Sequence, residues 1–221
     1  MKLLIDSANI EHIKQINHDY PVDGVTTNPT LIAKENRDFY QLIKEIRTVI
    51  GESKLLFVQT VSEATDAIVQ EALEIWKALD KNVVIKIPVT VEGIKAIKEL
   101  KKQGIKTLAT TVYTPMNAFV AAKAGADYVA PYVNRIENLN GKGTEVVQEI
   151  KQIFTNASFT CEIISASFKN VQQIKEVCLS GSDVITVPPT LINQFLQVSS
   201  IKEDVERFKL DWQKSIQGKE G

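Results

Sequence analysis

The chain has 221 residues, with 26 lysines and arginines against 27 aspartates and glutamates. A formal net charge of −1 offers no basic face, so nucleic-acid binding is not expected. The apolar runs are strand-length, so no membrane-spanning helix is expected, and the run Leu3–Ile5 is too short for a signal-peptide core.

The two cysteines, Cys161 and Cys178, lie far apart and show no ligand spacing. Neither a disulfide framework nor a zinc site is expected, and a reducing cytoplasm is the default location. The two histidines, His12 and His18, read as solvated residues of the first amphipathic segment, which leaves no histidine-based metal site.

Short apolar runs alternate with helical spacing along the whole chain. In order, the predicted strands are Leu3–Asp6, Gly24–Thr27, Leu55–Gln59, Val83–Ile87, Thr107–Thr111, Tyr128–Pro131, Thr160–Ser165 and Val184–Val187. Between them, Asp66–Leu79 places Ile68, Ala72, Ile75, Trp76 and Leu79 on one helical face. Glu92–Gln103 follows a Thr90 N-cap and stops at Gly104. Thr114–Ala124 ends at Gly125, Thr144–Phe154 follows, and Val171–Leu179 closes before Gly181. Ile201–Ile216 is amphipathic, with Val205, Phe208 and Trp212 on one stripe, and leads into a polar tail, Gln217–Gly221.

Strict alternation predicts an α/β protein with a parallel sheet, and eight repeats in this length predict a closed (β/α)8 TIM barrel. A doubly wound open sheet is the alternative, but no glycine-rich dinucleotide or phosphate loop is present. No linker or composition break interrupts residues 1–221. The expectation is therefore a single domain with an additional C-terminal helix over 201–216.

Lys86 is the anomaly in this pattern. Five of its six neighbours between Val83 and Val89 are β-branched aliphatics, so the lysine sits in a strand of buried character. Burial of an unpaired ammonium is costly, which favours either a counter-ion or a neutral, nucleophilic amine. The structural alternatives are a lysine that snorkels from a strand end and a lysine in an ion pair. In a barrel the chemistry gathers at the C-terminal strand ends. Those ends carry Asp6, Thr26 and Asn28, Gln59, Lys86, Thr110, Tyr132 with Arg135, Ser167 with Lys169, and Thr186. Such a mouth would suit a polyol, with Arg135, Lys169 and Ser167 as phosphate donors. Each residue also has a dull alternative: Asn28-Pro29 is a turn signal, and Asp6 could cap a helix starting near Ser7.

Two stretches carry a family resemblance. Asp23-Gly24-Val25-Thr26-Thr27-Asn28-Pro29-Thr30 and Val84-Ile85-Lys86-Ile87-Pro88-Val89-Thr90-Val91-Glu92-Gly93 resemble the two signatures of the transaldolase family. The likeness continues through Ala130-Pro131-Tyr132-Val133-Asn134-Arg135 and Ala166-Ser167-Phe168-Lys169-Asn170, and the length is similar to that of the small bacterial subfamily. That subfamily holds transaldolases and fructose-6-phosphate aldolases. The resemblance implies a class I mechanism with neither metal nor cofactor, acting on sugar phosphates. It implies Lys86 as the Schiff-base lysine and Asp6 as the active-site aspartate. Asn28, with Thr26 on the same strand end, would hold substrate hydroxyls. Gln59 and Thr110 would hold the catalytic water, and Ser167, Arg135 and Lys169 the far end of the substrate. It also implies a ring-based homo-oligomer, a pentamer or decamer.

The sequence departs from transaldolases at four places. Gln59 stands for glutamate, Tyr132 for phenylalanine, Ala130 for serine and Asn134 for glycine. The first three resemble the fructose-6-phosphate aldolase pattern. A glutamine cannot shuttle a proton, so that task would move to the Tyr132 phenol. Aldolase and transaldolase therefore both stand as expectations. A phosphate-binding barrel isomerase or lyase and a non-catalytic sugar-phosphate binder are the remaining alternatives.

Overall fold

In the computed structural model, which describes residues 1–79 and 81–217, eight parallel strands close in sequence order. The strands are β1 (Lys2–Asp6), β2 (Gly24–Thr26), β3 (Leu55–Gln59), β4 (Val83–Pro88), β5 (Thr107–Val112), β6 (Tyr128–Pro131), β7 (Glu162–Ser165) and β8 (Val184–Val187). Closure comes from β1 pairing with β8, with Leu4 opposite Thr186. The protein is thus the (β/α)8 barrel that the alternation predicts.

Period-two alternation sorts each strand between two cores. Leu4, Phe57, Val84, Leu108, Tyr128, Ala130, Ile164 and Val184 pack together inside the barrel. Their sequence neighbours Ile5, Leu56, Val58, Val83, Ile85, Ala109, Val129, Ile163 and Ile185 face the helices. Both faces are buried, which is why the strands read as continuous apolar runs.

The outer layer follows the order α1 (Ile10–Asp19), α2 (Pro29–Lys34), α3 (Phe39–Ile50), α4 (Thr65–Ala78), α5 (Val91–Lys102), α6 (Pro115–Ala124), α7 (Val133–Asn138), α8 (Gly143–Asn156), α9 (Val171–Leu179), α10 (Pro189–Gln194) and α11 (Ser199–Gln217). Thr90 caps α5 by accepting from the Gly93 N–H at 3.0 Å. Gly125, at φ +99°, ends α6 in the left-handed conformation that glycine tolerates best. His12 and His18 are exposed on α1, as expected of solvated helix residues. Cys161 and Cys178 are free thiols.

Several segments differ from the expectation. Asn28-Pro29 is more than a turn: Asn28 caps α2, and Pro29 occupies the first helical turn, where its missing N–H costs nothing. Pro189 opens α10 in the same way. The cap of α1 is Asn9, so Asp6 is not a capping residue. Helix α11 does not cover its own barrel. Phe208 is 60% and Trp212 is 68% exposed, with Ile201, Val205, Leu210 and Ile216 also in solvent. The polar tail falls, from residue 218, outside the described residues. Among the described residues no helix is long and apolar enough to cross a membrane.

Candidate active site

Lys86 is 6% exposed on β4, so the snorkelling alternative does not hold. It shares the inward parity of Val84, which aims its amine at the C-terminal mouth. Its Nζ donates to the Thr27 carbonyl oxygen at 2.6 Å. Burial lowers its pKa to about 8, and the nearby Asp6 carboxylate opposes that fall. At pH 7 about one lysine in ten is then neutral, against roughly one in 3,000 at the ordinary value. The neutral amine is the nucleophile that a ketone requires.

A cavity of about 130 Å³ lies over this amine. Asp6, Thr26, Asn28, Tyr132, Arg135, Ser167 and Thr186 line it together with Lys86, Leu108, Ala130, Ile164 and Ala166. Asp6 closes β1 directly opposite Thr26 in the β1–β2 register. It accepts a hydrogen bond from Thr26 Oγ1 at 2.9 Å, and Thr26 Oγ1 meets Thr186 Oγ1 at 2.5 Å. Burial raises the Asp6 pKa, with Lys86, Thr26 and Arg135 each opposing the rise. Asn28 spends its Oδ1 on the Leu31 N–H at 3.0 Å, which leaves its amide N–H donors for a ligand oxygen.

Tyr132 Oη and Thr110 Oγ1 are 2.6 Å apart. Burial pushes the Tyr132 phenol above its ordinary pKa, against the opposing effects of Thr110 and Arg135. The phenol is therefore protonated at neutral pH. The Arg135 guanidinium sits 4.7 Å over the Tyr132 ring, a cation–π contact that places the cation beside the mouth.

Backbone strain marks the same rim. The β5–β6 register shifts between Ala109 and Val112, and Thr111 takes φ +60° there. A β-branched residue in that region costs on the order of 1–3 kcal/mol and persists only where its surroundings impose it. Thr111 Oγ1 donates to the Thr110 carbonyl at 2.6 Å and accepts from the Val89 N–H at 3.3 Å. Ser167, on the cavity wall, is likewise at φ +64°.

Seven of the residues named from sequence thus meet around one cavity: Asp6, Thr26, Asn28, Lys86, Tyr132, Arg135 and Ser167. Thr110 joins through Tyr132. Gln59 pairs with Lys86 in the β3–β4 register, but it lines two adjoining clefts and not the Lys86 cavity. One, of about 650 Å³, also involves Thr60, Pro88 and Glu92; the other, of about 340 Å³, involves Thr27, Asn28, Phe39 and Tyr40. Lys169 is exposed and lies outside the wall of the Lys86 cavity. Thr186, which the sequence marks as a strand end but with no role attached, lines the same cavity. Its signal was its position at the end of β8, two residues from inward-facing Val184. Among the described residues, no cluster of three or more histidine, cysteine or acidic side chains is placed to hold a metal.

Comparison with known proteins bears on the family and the fold. The family described as Transaldolase/Fructose-6-phosphate aldolase matches residues 3–219. A probable transaldolase of Thermoanaerobacter sp. (strain X514) is 39% identical over 215 residues, covering 97% of this chain and 98% of that protein. A probable transaldolase of Brachyspira hyodysenteriae (strain ATCC 49526 / WA1) is 41% identical over 213 residues, covering 96% and 98%. A solved structure described as "Native KDPGal structure" superposes with a TM-score of 0.60 at 13% identity, covering 84% of this chain and 80% of that one, which speaks to the barrel alone. A family match over nearly the whole length, with relatives about 40% identical over nearly all of both chains, leads to one conclusion: the chain belongs to the transaldolase/fructose-6-phosphate aldolase family.

Proposed function

We propose that the protein is a class I aldolase that cleaves fructose 6-phosphate to dihydroxyacetone and glyceraldehyde 3-phosphate. The observation that carries this reading is the buried Lys86 amine, with its pKa near 8, sharing a cavity with Asp6 and Tyr132. Neutral Lys86 adds to the C2 carbonyl, and loss of water gives a protonated imine on Nζ. That cation draws the C3–C4 bonding pair towards itself as the C4 hydroxyl gives up its proton. Glyceraldehyde 3-phosphate leaves, and an enamine remains on Lys86. Protonation at C3 and hydrolysis release dihydroxyacetone and restore the amine.

Tyr132 starts as a phenol, so it gives its proton to the hydroxyl that leaves as water when the imine forms. The phenolate so produced, held by Thr110, takes the C4 hydroxyl proton in the cleavage step and returns it to C3 of the enamine, and hydrolysis of the imine restores the phenol. Asp6 balances the imine cation that replaces the neutral amine. Asn28 and Thr26 orient hydroxyls of the dihydroxyacetone portion. Arg135 and Ser167, on the opposite wall, face the phosphate-bearing end. Lys169 contributes charge from outside the cavity. Arg135 carries more of the phosphate because Ala130 offers no hydroxyl there. The exposed apolar stripe of α11 fits a homo-oligomer, pentameric or decameric as the resemblance implies. A cytoplasmic location accords with a metabolic substrate.

The second reading is transaldolase, favoured by the names of the relatives. There the Lys86 enamine waits for an aldose phosphate acceptor and is not hydrolysed. Fructose 6-phosphate alone, compared with fructose 6-phosphate plus erythrose 4-phosphate, separates the two. Release of glyceraldehyde 3-phosphate without acceptor at a rate near that with acceptor supports the aldolase. Release that depends on erythrose 4-phosphate overturns it in favour of the transferase.

A further inference from the structure

Gln173 lies outside the cavity, 7% exposed in the first turns of α9. Its side chain joins the β7–α9 loop to α7. Oε1 accepts from the Lys169 backbone N–H at 2.8 Å, which fixes the orientation of the amide. Nε2 then donates to Asn134 Oδ1 at 3.3 Å and to Glu137 Oε2 at 2.5 Å. Asn134 and Glu137 flank Arg135 on α7, and Lys169 follows Ser167 by two residues. The same loop and the start of α7 are tied by backbone bonds, Val133 N–H to Ala166 O at 2.9 Å and Asn134 N–H to Ser167 O at 2.8 Å.

A buried polar side chain is a poor choice for packing alone, since Ile174 and Val177 show what this helix otherwise buries. Here each polar atom of the amide is used. A carboxylate could not replace it, because it would face the Glu137 carboxylate. An apolar residue would leave the Lys169 N–H and two acceptors without their partner.

We propose that Gln173 is a positioning residue that holds α7 and the β7–α9 loop in register, so that Arg135 and Ser167 close on the phosphate end of the substrate. It thereby sets the preference for phosphorylated over unphosphorylated ligands. The inference rests on the sugar-phosphate reading given above. It concerns only α7 and that loop, not the chemistry at Lys86.

Gln173→Met and Gln173→Glu test it, with Asn134→Gly removing one acceptor without touching the core. In Gln173→Met, KM for fructose 6-phosphate is expected to rise about tenfold, the effect of losing two or three hydrogen bonds. Borohydride trapping of dihydroxyacetone on Lys86, which involves no phosphate, stays at the wild-type rate. Gln173→Glu raises KM at least as much, and Asn134→Gly by about threefold. Backbone amide exchange speeds up at 133–138 and 166–170 in both Gln173 variants. An unchanged KM, or an equal loss of trapping and turnover, overturns the positioning role. The exchange measurement needs no substrate. If the wild-type protein failed to turn over fructose 6-phosphate, the catalytic reading would fall alone, and unchanged exchange in both Gln173 variants would still refute the latch.

Discussion

The amine of Lys86 donates to the carbonyl oxygen of Thr27, 2.6 Å away across the barrel mouth from β4 to the end of β2. Thr27 is itself fixed, because its hydroxyl donates to the Phe57 carbonyl at 2.9 Å. The lysine rotamer is therefore anchored by backbone, and the remaining direction for its lone pair is the cavity. Replacement of Lys86 by Met keeps the buried stem and removes the nucleophile. Turnover should fall by at least about 10³-fold with the fold intact, because a covalent path is lost and not merely weakened. Mass spectrometry after borohydride treatment with dihydroxyacetone should show an adduct on the wild-type protein and none on Lys86→Met. An adduct of equal size on the variant would place the imine elsewhere.

The acidity of Lys86 predicts a pH profile. Below its pKa of about 8 the amine is charged and inert; above it the neutral form dominates. The rate of imine formation should therefore climb as pH rises towards 8 and level off beyond. Asp6 holds the proton on Lys86 by its charge, so Asp6→Asn should move the profile to lower pH. Turnover should nevertheless fall, since the imine cation loses its counter-charge. A profile that stays put in Asp6→Asn would mean that the two groups do not sense one another.

Tyr132→Phe removes the phenol from Thr110 and leaves the ring under Arg135. General acid–base catalysis of this kind is worth about 10²–10⁴-fold. Cleavage of fructose 6-phosphate should drop within that range. The adduct with dihydroxyacetone should still form, because the nucleophile is untouched. If cleavage survives at the wild-type rate, the proton travels another way, and the neighbourhood of Gln59 becomes the place to look.

Gly93 gives a stability prediction. A Cβ at this position would lie 2.1 Å from the Pro88 carbonyl oxygen, at the end of the strand that carries Lys86. The first turn of α5 can approach β4 so closely only without a side chain. Gly93→Ala should lower unfolding free energy by about 1–3 kcal/mol, measured by denaturant titration. It should also slow imine formation, because the end of β4 must move.

The strands and the main crossover helices were legible because burial on both faces leaves a continuous apolar signature, and helical stripes mark what packs outside. Lys86 was legible as a charge in the wrong environment. Asp6, Thr26 and Tyr132 followed from their places at strand ends. The short helices α2 and α10 were masked by prolines that read as turn formers, although a proline in the first helical turn starts a helix. The Thr111 bulge left no trace, since threonine is an ordinary strand residue and its left-handed backbone is imposed by contacts with Val89 and Thr110. Gln173 was invisible for a similar reason: a glutamine on an amphipathic helix reads as solvent-facing until Asn134 and Glu137, both distant in sequence, are brought beside it.

The ring of strands closes through β1 and β8, and the hydroxyls of Thr26 and Thr186 meet across 160 residues of chain. This has a consequence for a polypeptide still being made. Until β8 has docked, the ring is open beside β1. Because burial is what lowers the Lys86 pKa, the full shift is expected only once the ring has closed. Long-range closure of this kind is slow compared with helix formation. The appearance of a trappable amine during refolding should therefore lag behind the recovery of helical circular dichroism, and it would report on closure more faithfully than any signal from secondary structure.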